Sequence, residues 1–415
     1  MKKNLTFLTF GSILEYYDLA IYLFLAKQIG ASLIPANNSK INLLITFSIY
    51  AAGGLIRPLG GLCFGYFGDK YSRKNSFNNS ILIMALSTLL MGLIPSYQTI
   101  GIFSVILLIT LRFTQSFAVG GEIPAAMVYA YEIAPQDKKP FYTNIAVCGT
   151  NIGLFLAAFT CEQLNKYLTS DIVWRYAFII GGCTGLIFAL LRKQLQEPVE
   201  FTSFKNSNQD NNHSPFKQLL TNHKKQLVNA LSFSAFIACV ITVFVSFMPS
   251  FLQTFYNIPI NVVMHINSNS IFMFLICSLF AGKFYYLFNR KFFLYSILVF
   301  IGVSYWIFSS YGNITTHQLA IIHYALFVYL GLIAGRLPVV LNNMFPINIR
   351  YTGVSLAYNL AFGIIGSVTQ IVLLSLVELS DIKILPAVYI MVFALIAWVF
   401  FYRTTDTQLN KHKES

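Results

Sequence analysis

The chain has 415 residues, 56% hydrophobic and only 10% charged, with a formal net charge of +13. A soluble domain is about a quarter charged, so these few charges cannot cover the two to four soluble domains that the length alone would permit. The basic residues are dispersed between apolar runs rather than gathered into one stripe, which argues against nucleic-acid binding.

The apolar runs recur at about 20 residues, the length of a helix that crosses a bilayer. In chain order they predict spans at 6–30, 42–66, 77–96, 100–128, 141–164 and 174–193. A polar interval follows, from Gln194 to about His223, and contains SFKNSNQDNNHS, whose Asn, Asp and Ser favour turns. Six more spans fit near 226–250, 267–288, 292–310, 317–343, 351–376 and 383–402. The expectation is an all-α integral membrane protein with twelve transmembrane helices in two six-helix halves. Residues 1–193 form the first half and 194–225 a cytoplasmic linker. Residues 226–403 form the second half and 404–415 a short cytoplasmic tail. Thirty-nine phenylalanines and 24 tyrosines suit lipid contact and membrane interfaces.

The first span is not a signal peptide by pattern: Glu15, Asp18 and Lys27 interrupt its core, and no small-residue cleavage site stands out. Lysine and arginine collect in cytoplasmic loops. Here Lys2, Lys3, Lys70, Arg73, Lys74, Lys138, Lys139, Arg192, Lys193, Lys224, Lys225, Arg290, Lys291, Arg350 and Arg403 share one parity. The opposite side holds Lys40, Lys166, Arg175 and Lys383, so both termini are expected to be cytoplasmic.

The six cysteines fall inside predicted spans and form no CxxC pair, which reads as buried apolar packing rather than metal binding or disulfides. His265, His317 and His323 show no metal-ligand spacing. Neither a metal nor a cofactor is expected, and no catalytic set of an enzyme converges.

A charge at a helix centre costs roughly 2.5–3.5 kcal/mol on insertion scales, so intramembrane charges should face a cavity or a partner. On the first span, Glu15 and Asp18 are three residues apart and share a helix face with Tyr22. Two carboxylates so close oppose each other's ionisation, so one of them can carry a proton while an arginine holds the other. The alternative is a fixed network with Arg57 of the second span or Arg112 of the fourth. Lys27 lies towards the outer end, where its stem can snorkel. On the fourth span, RFTQSFAVGGE aligns Gln115 with Glu122 within about 20°, with Arg112 some 60–80° away. Arg112 can hold an anionic substrate group through paired hydrogen bonds, or neutralise Glu15, Asp18 or Glu122. Gly120 and Gly121 permit close backbone approach, and Gly149 and Gly153 have small-xxx-small spacing.

The loop GYFGDKYSRK at 65–74 sets Asp69 beside Lys70, Arg73 and Lys74. It is either a solvated basic turn or a latch, with Asp69 anchoring a neighbouring helix end. GKFYYLFNRK at 282–291 echoes it, and GRLP at 335–338 echoes GEIP at 121–124, at nearly one offset; together they favour duplication. In the second half, Arg336 precedes Pro338. Tyr358 and Asn359 sit among Gly353, Gly363 and Gly366, which permit bending. Asn359 and Gln370 either contact substrate or bond between helices.

These motifs resemble the major facilitator superfamily, through Gly65, Asp69, Lys70, Arg73 and Lys74, with Ser72 where glycine is usual. A narrower resemblance is to its metabolite:proton symporter branch, which includes proline/betaine and organic-acid carriers. It rests on LEYYDLAIY at 14–22, RPLGGLCFGYFGDKYSRK at 57–74, RFTQSFAVGGEIPAAMVYAYEIAP at 112–135, WRYAFIIGG at 174–182 and FPINIRYTGVSLAYNLAFGIIG at 345–366. Two departures stand out: Tyr286 replaces the acid of the second basic loop, and the proline often found after the glycine pair of helix 11 is missing. The resemblance implies a proton-coupled importer of a small polar metabolite, an amino acid or an osmolyte such as proline or betaine, working by alternating access. It places Asp18, Glu15 and Glu122 in proton coupling. Tyr22, Arg57, Arg112, Gln115, Tyr358, Asn359 and Gln370 would line the substrate site. Asp69, Lys70, Arg73, Lys74 and Arg336 would gate it. The expected setting is the bacterial inner membrane, as a multi-pass functional monomer with lipid, protons and metabolite as partners. An organic-acid symporter and a proton-driven exporter of a siderophore or drug are the alternatives. A transporter-like nutrient sensor is disfavoured, because Asp18 is present and the tail is short.

Overall fold

The computed structural model describes residues 2–34, 39–168, 170–207, 214–256, 258, 260–283, 290–310 and 315–402. Positions 208–213 of the linker, Tyr286 and the tail 404–415 lie outside these residues. Every regular element among the described residues is helical. This is the economical answer in lipid, where backbone N–H and C=O groups find no water and must pair within their own segment.

Two compact units are present. The first comprises Met1–Ile133, Ile145–Gln218 and Ile347–Leu356; the second comprises Ala134–Asn144, Leu219–Pro346 and Ala357–Ser415. In chain order the helices begin with α1 (Lys2–Phe24), α2 (Ala26–Leu33), α3 (Ser39–Lys70), α4 (Arg73–Gly92) and α5 (Tyr97–Ile100). Next come α6 (Phe103–Ile133), α7 (Lys139–Tyr167), α8 (Ser170–Arg192), α9 (Val199–Ser207) and α10 (Pro215–Asn222). Then follow α11 (Lys224–Ile241), α12 (Met248–Tyr256), α13 (Ile260–Lys283), α14 (Arg290–Ser310) and α15 (Thr316–Ala334). The last are α16 (Leu337–Met344), α17 (Arg350–Asn359), α18 (Gly366–Ser380) and α19 (Leu385–Tyr402). Ten helical stretches among the described residues are long and apolar enough to cross a membrane. Leu385–Phe400 is a shorter apolar helix. Helix α4, over the predicted span 77–96, begins with the polar run Arg73, Lys74, Asn75 and Ser76 and becomes apolar only from Ile81.

In the first unit α6 packs against α3, α4 and α1, and α8 packs against α4 and α1. Tyr17, Ile21, Met91, Trp174 and Phe178 form part of one buried cluster. Large apolar side chains such as Leu59, Phe103, Phe155 and Leu190 remain exposed, as expected of helices that face lipid. The predicted first span is two helices, α1 and α2, meeting at Leu25, and Lys27 is exposed on α2.

In the second unit α13 packs on α15, and α11 and α14 pack on α19. Two predicted spans contain π-helical segments, Thr242–Phe247 between α11 and α12 and Leu360–Ile365 between α17 and α18. Such widened turns leave carbonyls poorly served by the helix. Asn267 Nδ2 donates to Val245 O at 3.2 Å and satisfies one of them. The predicted tenth span breaks at Gly335–Arg336, and Pro338 then lies in the first turn of α16, where its missing N–H costs nothing.

The contact of α3 with α6 is set by glycine. A β-carbon on Gly120 would overlap the carbonyl oxygen of Arg57 and crowd the backbone of Gly61. Gly120→Ala is expected to destabilise the protein by about 1–3 kcal/mol, because the backbone must move. Gly302→Ala, at a helical site with nothing within 4 Å, should be neutral or stabilising by up to about 1 kcal/mol. Thermal unfolding in detergent distinguishes the two.

Candidate functional site

The buried polar groups of the first unit fall into three tiers along α6, marked by Arg112, Glu122 and Glu132. At 1.5 Å per residue, successive tiers are about 15 Å apart.

The first tier joins α1, α3, α4 and α6. Glu15 and Asp18 are buried on α1. Arg57 Nη2 approaches Glu15 Oε1 at 3.4 Å. Thr88 Oγ1 lies 2.6 Å from Asp18 Oδ2. Gln115 Nε2 donates to Thr88 Oγ1 at 2.7 Å, and Arg112 Nη1 donates to Gln115 Oε1. The Arg112 guanidinium lies over the rings of Tyr22 and Tyr50, 4.6 and 4.5 Å from their centroids. Tyr22 itself donates to Thr46 O at 3.1 Å. Glu15 Oε2, Asp18 Oδ1 and Arg112 Nε are buried without a hydrogen-bond partner among the described residues. Arg112 makes no ion pair with a carboxylate among them either. The sequence-predicted residues Glu15, Asp18, Tyr22, Arg57, Arg112 and Gln115 are thus brought together.

The second tier is closed. Arg192, at the end of α8, donates to both Glu122 oxygens at 2.6 and 3.1 Å. Ser80 adds a bond to Glu122 Oε2 at 2.8 Å. Arg192 also lies over the Phe77 ring, 3.9 Å from its centroid. The sequence parity had placed Arg192 with the loop cations, yet its side chain is fully buried here. Glu122 is answered by Arg192, not by Arg112.

The third tier contains the 65–74 motif. Asp69 accepts from the backbone N–H of Tyr351 at 3.1 Å and of Thr352 at 2.7 Å, in the first turn of α17. These are donors that a helix start leaves open, at the positive end of its dipole. Arg73 donates to Asp69, to both Glu132 oxygens at 3.2 Å each and to Ile347 O at 2.7 Å. Arg350 bridges Glu132 and Glu200 at 2.9 and 3.0 Å. Glu197 accepts from Ser72 Oγ at 2.6 Å and Arg73 N at 2.5 Å, covering the start of α4. Gly68 lies against the Tyr351 ring, and a β-carbon there would overlap it. Lys70 and Lys74 stay outside the ion pairs: Lys70 bonds Tyr66 Oη at 3.0 Å, and Lys74 contributes its backbone N–H to Glu197 at 3.4 Å.

Of the second-unit candidates, Tyr358 and Asn359 are buried, and Tyr358 stacks on Phe362 at 4.4 Å. Arg336 is buried over the Phe293 ring, 4.6 Å from its centroid. Gln370 is exposed. Thr88, Ser80, Glu132, Glu197 and Arg192 were not singled out as site residues from the sequence. Glu132 carried a usable signal, a carboxylate ten residues beyond Glu122 on the same helix; Thr88 carried none.

Residues 5–370 match the profile of the Major Facilitator Superfamily. The chain belongs to that family. Membership makes it a membrane transporter rather than an enzyme. It is 28% identical over 424 residues to the proline/betaine transporter of Salmonella typhimurium strain LT2, covering 96% of this chain and 82% of that one. It is likewise 28% identical over 422 residues to the proline/betaine transporter of Escherichia coli K12, with the same coverage. The solved structure of the proton:xylose symporter XylE bound to 6-bromo-6-deoxy-D-glucose superposes with a TM-score of 0.76 at 15% identity, over 98% of both chains. That likeness is one of fold.

Breaking a buried ion pair by removing one partner typically costs about 3–5 kcal/mol, because the other charge is stranded. Glu122→Gln should therefore lower the thermal stability of the detergent-purified protein by that amount. Adding Arg192→Met to Glu122→Gln should recover part of the loss; simple additivity of the two would show the pair is not coupled.

Proposed function

We propose that the protein is a proton-coupled secondary transporter that imports a small carboxylate-bearing metabolite, an amino acid or an osmolyte such as proline or betaine. The observation that carries this reading is the first tier. It holds two buried carboxylates, each with one oxygen free of hydrogen bonds among the described residues, near a guanidinium that forms no ion pair among them. A free carboxylate oxygen in a buried setting is a place for a proton. A buried guanidinium with no ion-pair partner among the described residues, lying over the Tyr22 and Tyr50 rings, is a place for a substrate carboxylate. Asp18 and Glu15 are the proton carriers, Arg112 the substrate anchor, and Tyr22, Gln115 and Arg57 its surround. Tyr358, Asn359 and Gln370 are proposed as substrate contacts on the family resemblance alone. The 28% identical proline/betaine transporters support the substrate class.

In this reading twelve helices cross a bacterial inner membrane, with both termini cytoplasmic, and the protein works as a monomer. Asp69 and Arg73 then hold the cytoplasmic ends of α3, α6 and α17 together, and this cluster opens and closes as access alternates. Glu122, saturated by Arg192 and Ser80, is assigned a positioning role rather than proton carriage. An organic-acid symporter is the second reading, because Arg112 offers the same anchor to a dicarboxylate.

The test is uptake into proteoliposomes holding the purified protein, with L-proline, glycine betaine, succinate and citrate as probes under an imposed pH gradient. Gradient-driven accumulation of one of the first two is expected. Accumulation of succinate or citrate alone would select the second reading, and accumulation of none would end both. Asp18→Asn and Glu15→Gln are each expected to lose accumulation driven by the gradient while keeping exchange between equal pools. If both variants accumulate like the wild type, the proton assignment is wrong. Asp69→Asn is expected to slow uptake and leave equilibrium binding of the substrate unchanged.

A further inference from the structure

Thr88 and Gln115 connect the two ends of the first tier. Their chemistry fixes the direction of the connection without reference to hydrogen positions. Arg112 can only donate, so the Gln115 amide must turn its oxygen to the guanidinium. The Gln115 NH2 then faces Thr88, and the Thr88 hydroxyl must accept from it at 2.7 Å. That leaves the single hydroxyl proton of Thr88 to point onward. Two acceptors lie within reach, Asp18 Oδ2 at 2.6 Å and the Met84 carbonyl at 2.9 Å. All four residues are buried, and they come from α1, α4 and α6.

Resting on the transport reading above, we propose that Thr88 is a two-position hydroxyl switch that couples what occupies Arg112 to the proton on Asp18. Hydrogen bonds in a chain polarise one another. With Arg112 unoccupied, its charge strengthens the Gln115 amide as donor and, through it, the Thr88 hydroxyl. The hydroxyl proton then serves the Asp18 carboxylate. When a substrate carboxylate takes the guanidinium, the chain weakens and the hydroxyl turns to Met84 O. Asp18 loses its hydroxyl donor, keeps only the weaker Gln115 amide, and takes a proton from solution on a carboxylate oxygen. Anion on Arg112 and proton on Asp18 therefore favour one another, and by linkage the effect is reciprocal. The charged groups that face Asp18 and its neighbour are Arg112 from α6, Glu15 from α1, Arg57 from α3 and Glu122 from α6. Tyr17 adds a phenol from α1, and α8 presents Gly181 to Asp18. Thr88 is the only group among the described residues that bonds both Asp18 and Gln115.

The experiment is an infrared pH titration of the purified protein, with the Asp18 carboxyl band identified by its loss in Asp18→Asn. It needs no substrate, so it reads the switch separately from the transport reading, which fails on its own terms if the wild type accumulates none of the four probes. Thr88→Val, which keeps the shape and removes the hydroxyl, is expected to move the midpoint of that band to higher pH, by about tenfold in proton affinity. Gln115→Leu should move it in the same direction, and Thr88→Ser should restore the wild-type midpoint. A role confined to packing would change stability and leave the midpoint where it is. Wild-type midpoints in both Thr88→Val and Gln115→Leu would overturn the proposal. So would a shift induced by L-proline in the wild type that persists undiminished in Thr88→Val.

Discussion

Taking an arginine or a carboxylate out of water costs several kcal/mol, and the first two tiers of the first unit hold three of each: Glu15, Asp18 and Glu122 with Arg57, Arg112 and Arg192. How each charge is answered separates structure from function. Glu122 and Arg192 answer one another with two short bonds, supplemented by Ser80 and the Phe77 ring. Glu15 and Arg57 do so at one longer distance. Among the described residues Asp18 and Arg112 form no ion pair and are bridged by neutral groups, Thr88 and Gln115. The incomplete answers lie together, and incomplete neutralisation is what lets a proton or an anion enter a buried site.

The same chemistry at the 65–74 end of the unit has the opposite outcome. There the acids outnumber the bases, with Asp69, Glu132, Glu197 and Glu200 around Arg73 and Arg350. The excess is absorbed by backbone N–H groups at the starts of α4 and α17. A helix start supplies both donors and favourable dipole. Every carboxylate in that cluster is engaged among the described residues, so the cluster is a clasp made of many modest bonds.

Legibility of these features in the sequence followed how local their cause is. Helix-length apolar runs depend on neighbours in the chain, and each predicted span overlaps a helix among the described residues. Glu15, Asp18 and Tyr22 share a face because of their spacing alone, and the structure keeps them on one helix. The break at Leu25 and the π-helical segment Thr242–Phe247 carried no sequence signal, whereas glycines mark the span that holds Leu360–Ile365 and Pro338 marks the turn at Gly335–Arg336. Arg192 read as a loop cation because it ends an apolar run beside Lys193, and only the fold shows its side chain turned inward.

The sequence by itself determined that this chain is a helical membrane protein of the major facilitator kind, with charges kept inside its spans. Composition and period do that because the bilayer is a uniform solvent that punishes every unpaired polar group. The tertiary structure alone decided which charge meets which. Glu122 is 70 residues from Arg192, Asp18 is 70 from Thr88 and Asp69 is 283 from Thr352. Those pairings arise only when distant helices pack, since Coulomb energy and hydrogen bonds act over a few ångströms of space and not along the chain.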